Sequence, residues 1–181
     1  MSEHEQPGPI EQREPIEQGV LDLAVRVFGL ARAGEAEELA AYVDAGVPAD
    51  LTNEKGDTLL ILAAYHGHPG TVAALLERGA DHGRYNDRGQ TPLAGAAFKG
   101  DLEMAKLLLA HGARAEAPLG DGKTAFMMAA MFNRLDIMQL LVDHGADPEA
   151  RDYRGIAAID AAQQTGAGDA VEWLRARATA Q

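Results

Sequence analysis

Six histidines and 28 carboxylates are the side chains of this 181-residue chain whose types and numbers could carry chemistry. The histidines are His4, His66, His68, His82, His111 and His144. His111 and His144 each precede a Gly-Ala pair and stand 33 residues apart (144 − 111). If they occupy equivalent places in stacked helical layers, about 8–10 Å separates them. Zinc ligands must lie about 2.0–2.1 Å from one ion, so this pair cannot share a metal without a further ligand. Each imidazole is expected instead to cap free carbonyls at a helix C-terminus. Nucleophilic chemistry lacks its parts, because there is no cysteine and Ser2 is the sole serine, outside any Gly-x-Ser-x-Gly elbow. Leu119-Gly120-Asp121-Gly122-Lys123-Thr124 looks like the tail of a phosphate-cradling loop, but the upstream glycine and the preceding strand are missing. Asp57, Asp87, Asp121 and Asp152 are expected at exposed turns rather than in a cleft that would shift their pKa values. No enzymatic activity, cofactor or metal is therefore expected.

The elements that must position these residues follow from one period. Gly56, Gly89, Gly122 and Gly155 are spaced 33 apart (89 − 56, 122 − 89, 155 − 122). Gly46, Gly79, Gly112 and Gly145 keep the same interval, as do Leu75-Leu76, Leu108-Leu109 and Leu141-Val142. Three landmarks in one frame make the chain an array of repeats. Each copy reads as a turn, a short helix, a tight bend, a second short helix and an exit loop. Thr58 caps a first helix through its hydroxyl. Gly67 ends that helix, where a positive φ is cheapest, and Pro69 opens the next one. Asn133 stands where Gly34, Gly67, Gly100 and Gly166 stand in the other copies; asparagine is the next most tolerant residue for a left-handed bend.

The central copy, Gly89-Gln90-Thr91-Pro92-Leu93-Ala94-Gly95-Ala96-Ala97, resembles the signature of the ankyrin repeat family. That family repeats about every 33 residues with a Thr-Pro-Leu-His-x-Ala motif, a β-turn and two helices. Degraded versions stand at Gly56-Asp57-Thr58-Leu59-Leu60, Gly122-Lys123-Thr124-Ala125-Phe126 and Gly155-Ile156-Ala157-Ala158-Ile159, and the family histidine is absent from all four. The resemblance implies an all-α ankyrin-repeat solenoid of about five stacked helix-turn-helix repeats, joined by β-turns or short hairpins. It also implies polar capping repeats at both ends.

The resulting division is a flexible acidic leader at 1–15 and a single ankyrin-repeat domain at 16–181. The domain comprises a cap at 16–52, repeats at 53–85, 86–118 and 119–151, and a C-terminal cap repeat at 152–181. The leader carries Pro7, Pro9 and Pro15 and five glutamates against one arginine in the first 20 residues, too little apolar surface to offset ordering entropy. Arg26, Arg32, Glu35, Glu37 and Glu38 are expected to give the first cap its polar face, and Trp173 is expected to seal the other end of the core. No helix is expected to exceed about 12 residues, and isolated helices that short are marginal in water, so burial between neighbouring repeats must hold them.

A formal net charge of −12 gives no basic footprint for phosphate backbones or anionic membranes, so neither nucleic acid nor membrane is an expected partner. The N-terminus offers neither a basic region nor an apolar run, and no secretory signal is expected. The absence of cysteine suits a reducing compartment, and a cytoplasmic location is expected. What remains is recognition of another protein. In the family the turn tips and the exposed ends of the first helices grip partners. Carried over by frame, the tips hold Asp87, Arg88, Gln90, Lys123 and Tyr153, and the helix ends hold Tyr65, His66, Phe98, Lys99, Met131 and Phe132. Exposed aromatics and methionine mark interface centres. The expected function is thus a non-catalytic protein-interaction module working through a concave groove. The alternative is self-association into a homo-oligomer through the same patch.

Overall fold

The computed structural model describes residues 13–179, with side chains from Gln18 onward; of the leader expected at 1–15, residues 1–12 lie outside the described residues and 13–15 belong to a helix. The described chain folds into ten helices in five pairs: α1 (Arg13–Ala33) with α2 (Ala36–Asp44), α3 (Leu59–His66) with α4 (Pro69–Leu76), α5 (Pro92–Lys99) with α6 (Leu102–Ala110), α7 (Ala125–Met131) with α8 (Leu135–Asp143), and α9 (Ala158–Thr165) with α10 (Gly168–Ala178). No strand forms among the described residues; two isolated antiparallel bridges, Thr52–Thr58 and Arg151–Ala157, are all the β-structure there.

Each first helix after α1 starts on a threonine or its substitute. The hydroxyl oxygens of Thr58, Thr91 and Thr124 accept from the backbone N–H groups of Ile61, Ala94 and Met127 at 3.0, 3.2 and 3.3 Å. Ala157 has no hydroxyl, and the Asp160 carboxylate accepts the Ala157 N–H at 3.1 Å instead, which satisfies one of the orphan donors that a helix start leaves. Asn133 adopts φ 58°, as its position in the frame requires. Its side chain adds what glycine could not: Oδ1 accepts from Ala170 N and Nδ2 donates to Asp169 Oδ2, both at 2.8 Å. The bend after α7 is thereby tied to the start of α10.

The first helices form one row and pack closely from α1 through α9, whereas α4, α6 and α8 touch one another only lightly. Alanine explains the difference. Ala63, Ala97 and Ala130 are fully buried in the tight row, where a small side chain lets backbones approach. The wider contacts of the second row are filled by Met104, Leu108, Ile137, Met138 and Leu141. The stack is therefore closer on the side that carries the turns.

Both ends differ from their neighbours. At the C-terminal end the half-buried Trp173 ring lies 6.2 Å from Phe126 between centroids. The Arg177 guanidinium lies over the same ring at 5.4 Å, a cation–π placement on a partly wet surface. The N-terminal end corrects two expectations. α1 is 21 residues long against eight in α3, so the limit of about 12 residues on helix length fails there. The frame would begin this helix near residue 26 (59 − 33); the chain instead continues helically ahead of that point, because no turn-forming sequence interrupts it. Nor is that end uniformly polar. Arg26 does pair with Glu38, but Val20, Leu21 and Val25 are 61%, 59% and 73% exposed.

Enlarging the buried alanine at the middle of the tight row should overpack it. Ala97→Leu is expected to lower the unfolding free energy by about 1–3 kcal/mol. Ala110→Leu, on an exposed position of α6, should change it by less than about 0.5 kcal/mol. Urea unfolding of the two variants against the parent chain checks both values.

Candidate partner-binding site

The turn tips are built by Asx side chains that fold the backbone over themselves. Asn53 Oδ1 accepts from Lys55 N and Asp57 N, each at 2.9 Å, and Asn86 Oδ1 accepts from Arg88 N and Gln90 N, each at 3.0 Å. Asp152 Oδ1 does the same for Arg154 N and Ile156 N at 2.9 Å. In the intervening repeat Leu119 holds the frame position and is buried; Asp121, two residues on, accepts from Lys123 N at 3.1 Å in its place.

Adjacent tips are then bonded to one another through the backbone. Lys55 O accepts from Asp87 N at 3.1 Å, Gly89 O from Gly120 N at 3.3 Å, and Asp121 O from Tyr153 N at 3.3 Å. At Gly89, with φ 72°, an added Cβ would come within 2.8 Å of Gly120 N. Asn86 Nδ2 also donates to Asp57 Oδ1 at 2.7 Å, while Asn53 Nδ2 donates to the other oxygen at 3.2 Å. Two of the acidic residues expected at exposed turns are therefore buried: Asp57 and Asp152 are 6% and 5% exposed. Asp57 gathers donors from its own turn and the next, and Asp152 gathers donors from its own turn, which draws both carboxylates inward. Asp152 titrates below the usual carboxylate range; burial opposes this, and the Ile156 N–H, Arg154 side chain and Arg154 N–H outweigh it.

The ends of the first helices are also stitched across repeats. The Arg32 carbonyl accepts from His68 Nε2 at 2.8 Å, the Tyr65 carbonyl from Lys99 Nζ, and the Met131 carbonyl from Thr165 Oγ1 at 2.8 Å. At the remaining step, Phe132 cannot donate through its side chain. Its ring meets Phe98 edge-on at 4.5 Å and 80°, an arrangement favoured by the aromatic quadrupole. His144 Nδ1 bonds the Leu140 carbonyl at 2.8 Å, the capping role anticipated for it. The His111 ring makes no matching bond among the described residues.

The structure sorts the expected partner-binding residues into two places. Tyr65, His66, Arg88 and Gln90 line one groove of about 590 Å3. Phe98, Met131 and Phe132 lie further along the row of first helices, where Phe98 and Met131 are half-buried and Phe132 is 37% exposed. Lys99 sits 4.9 Å over the Tyr65 ring and Lys123 pairs with Asp121, so both cations are engaged within the chain. Asp87 and Tyr153 are exposed on the rim beside their tip-to-tip bonds.

The groove residues of α1 went unrecognised in the sequence: Ala24, and with it Leu21, Val25, Phe28 and Arg32. The spacing of four, three and four residues among the last four puts them on one helical face, and that second apolar face was the signal that marked them. Charge in the groove also departs from the chain's average. Arg32, Lys55 and Arg88 face Glu54 and the already bonded Asp57. His66 titrates below the ordinary imidazole range, first through partial burial and then through His68, Lys99 and Arg32.

A stack of this kind, with bonded turn tips along one face, defines a class. The pattern described as ankyrin repeats in three copies matches residues 28–119 and again 96–181. The chain belongs to the ankyrin repeat family. It is also similar to a Pseudomonas aeruginosa protein named "putative ankyrin repeat protein", with 46% identity over 60 residues. The aligned stretch covers 33% of this chain and 35% of that relative, so the chain matches about a third of the relative's length. Ankyrin repeats generally serve as protein–protein interaction modules and are typically non-catalytic. No helix among the described residues is long and apolar enough to cross a membrane.

The charge around His66 gives a direct check. Its nuclear magnetic resonance titration is expected to fall below that of an unstructured histidine. Lys99→Met should raise the midpoint, because removing a nearby cation favours the imidazolium. A midpoint at or above the ordinary value in the parent chain would contradict this electrostatic picture.

Proposed function

We propose that this protein is a non-catalytic interaction module that grips a partner protein on the face formed by its turn tips and first helices. The carrying observation is the groove of about 590 Å3, in which apolar side chains of α1 and α3 meet polar side chains of the tips at residues 52–57 and 86–90. A mixed wall of this type supplies burial for affinity and polar groups for orientation. Rigidity supports the same reading: the backbone bonds between tips leave little to be ordered on association, which lowers the cost of binding. The aromatic pair Phe98–Phe132 extends the apolar surface along the same row.

In this reading residues 16–181 act as one ankyrin domain behind an acidic leader, and the protein works in the cytoplasm. The groove recognises protein rather than nucleic acid, since a chain of net charge −12 repels a polyphosphate.

Tyr65 is 49% exposed and Phe132 is 37% exposed, so neither change opens a core cavity, although Phe132→Asp removes the edge-on contact with Phe98. The double variant Tyr65→Asp/Phe132→Asp is expected to keep the parent's circular dichroism, with a melting transition lowered by the lost ring contact of about 0.5–1.5 kcal/mol, while losing capture of the partner from native lysate. A folded double variant that captures the same protein equally well rules out this face.

A further inference from the structure

α1 gives the groove a wall that the other repeats do not have. In repeats two and three the chain enters its first helix through a turn tip; in the first repeat the chain enters along additional helix. α1 is 13 residues longer than α3 (21 − 8), about 20 Å of extra helix at 1.5 Å per residue. Leu21 and Val25 on this extension are 59% and 73% exposed and line the groove together with Phe28, Ile61 and Tyr65. Exposed leucine and valine on a helix that continues beyond its neighbours form an apolar strip with nothing of the described chain upon it. Such strips mark association sites.

Charge complementarity says what kind of chain covers it. Arg26, Arg78, Lys106, Lys123, Arg151 and Arg154 each pair with a carboxylate. Arg32, Lys55 and Arg88, which line the groove, make no such pair among the described residues; Arg84, Lys99, Arg114, Arg134, Arg175 and Arg177 make none either but lie outside the groove lining. The groove's acidic lining residues are Glu54 and Asp57, and Asp57 is buried and bonded to Asn86 and Asn53. In a chain that carries 28 acidic residues against 16 basic ones, three cations left open around one apolar strip are a local reversal of sign. The lowered titration of His66 agrees with it, since Arg32 is among the groups that depress it.

We infer that the N-terminal end of the groove docks a partner-protein segment bearing apolar side chains flanked by carboxylates. The apolar groups lie against Leu21, Val25 and Tyr65, and the carboxylates reach Arg32, Lys55 and Arg88. This rests on the concave face being the partner-binding face, and it adds the chemistry of the ligand and the end of the stack that reads it. The acidic surface elsewhere repels the same segment, which confines it to the groove.

The test is a random peptide library displayed on phage, panned against the full chain, followed by fluorescence anisotropy with the selected peptides. Selected sequences are expected to combine Asp or Glu with Leu, Ile or Phe. Lys55→Gln/Arg88→Gln should weaken them by about tenfold or more, and binding should weaken as salt rises. Leu21→Ala/Val25→Ala should weaken them in a salt-independent way. Lys106→Gln on the outer face of α6 serves as the control for charge and should leave affinity unchanged; circular dichroism of each variant confirms the fold. Selected peptides that are basic or uncharged, or that bind the Lys55→Gln/Arg88→Gln variant as well as the parent, overturn the inference. If those peptides are lost on Phe132→Asp, the concave-face reading survives it. Failure of any peptide to enrich overturns both. Sedimentation showing a dimer that Leu21→Ala/Val25→Ala dissociates also overturns it, because a second copy then covers the strip.

Discussion

Nine of the ten helices have between seven and 11 residues, a length at which an isolated helix does not persist in water. Each therefore exists only because the next repeat covers it, and the burial of one row of helices against its neighbours is the constraint on which everything else depends. The tight row satisfies that constraint with alanine, at Ala63, Ala97 and Ala130. Close approach of the first helices brings successive turns within hydrogen-bonding distance. That is why Lys55 can accept from Asp87, Gly89 from Gly120 and Asp121 from Tyr153. A rim assembled in this way is rigid because of the core beneath it.

The same spacing decides which side chains remain free to meet another molecule. Lys99 and Thr165 are spent on carbonyls of the preceding repeat, and Lys123 on its own turn. Three cations that form no ion pair with the rest of the described chain lie around the groove at its N-terminal end. There α1 runs past the frame, and Arg32, Lys55 and Arg88 stand around exposed leucine and valine. The binding chemistry proposed for the protein therefore lies where the repeat pattern is least regular. Interior repeats must satisfy neighbours on two sides, whereas α1 is covered by the described chain on one side only.

How much of this was legible in the sequence follows from the same distinction. The period, the threonine caps, the left-handed bend at Asn133 and the placement of Trp173 against the core all answer to local chemistry repeated at one interval, and each could be read from residue type and position. The candidate site was legible only in part. Frame alignment placed Tyr65, His66, Arg88 and Gln90 in the groove, but it carried Lys99 and Lys123 along as equivalents. Whether a cation is free depends on a carbonyl or carboxylate from another element, which the frame does not contain. The burial of Asp57 likewise depends on Asn86, 29 residues away. Leu21 and Val25 were missed because an apolar residue on a helix reads as core until its packing against the described chain is known.

The central claim is that partner recognition sits on the concave face at the N-terminal end of the stack. An amide chemical-shift map of the full chain, titrated with an acidic, leucine-rich peptide, tests it most directly. The account requires the largest shifts along the groove-facing side of α1, at the tips 52–57 and 86–90, and at Tyr65 and His66, with α4, α6 and α8 unmoved. Shifts confined to those outer helices would contradict it.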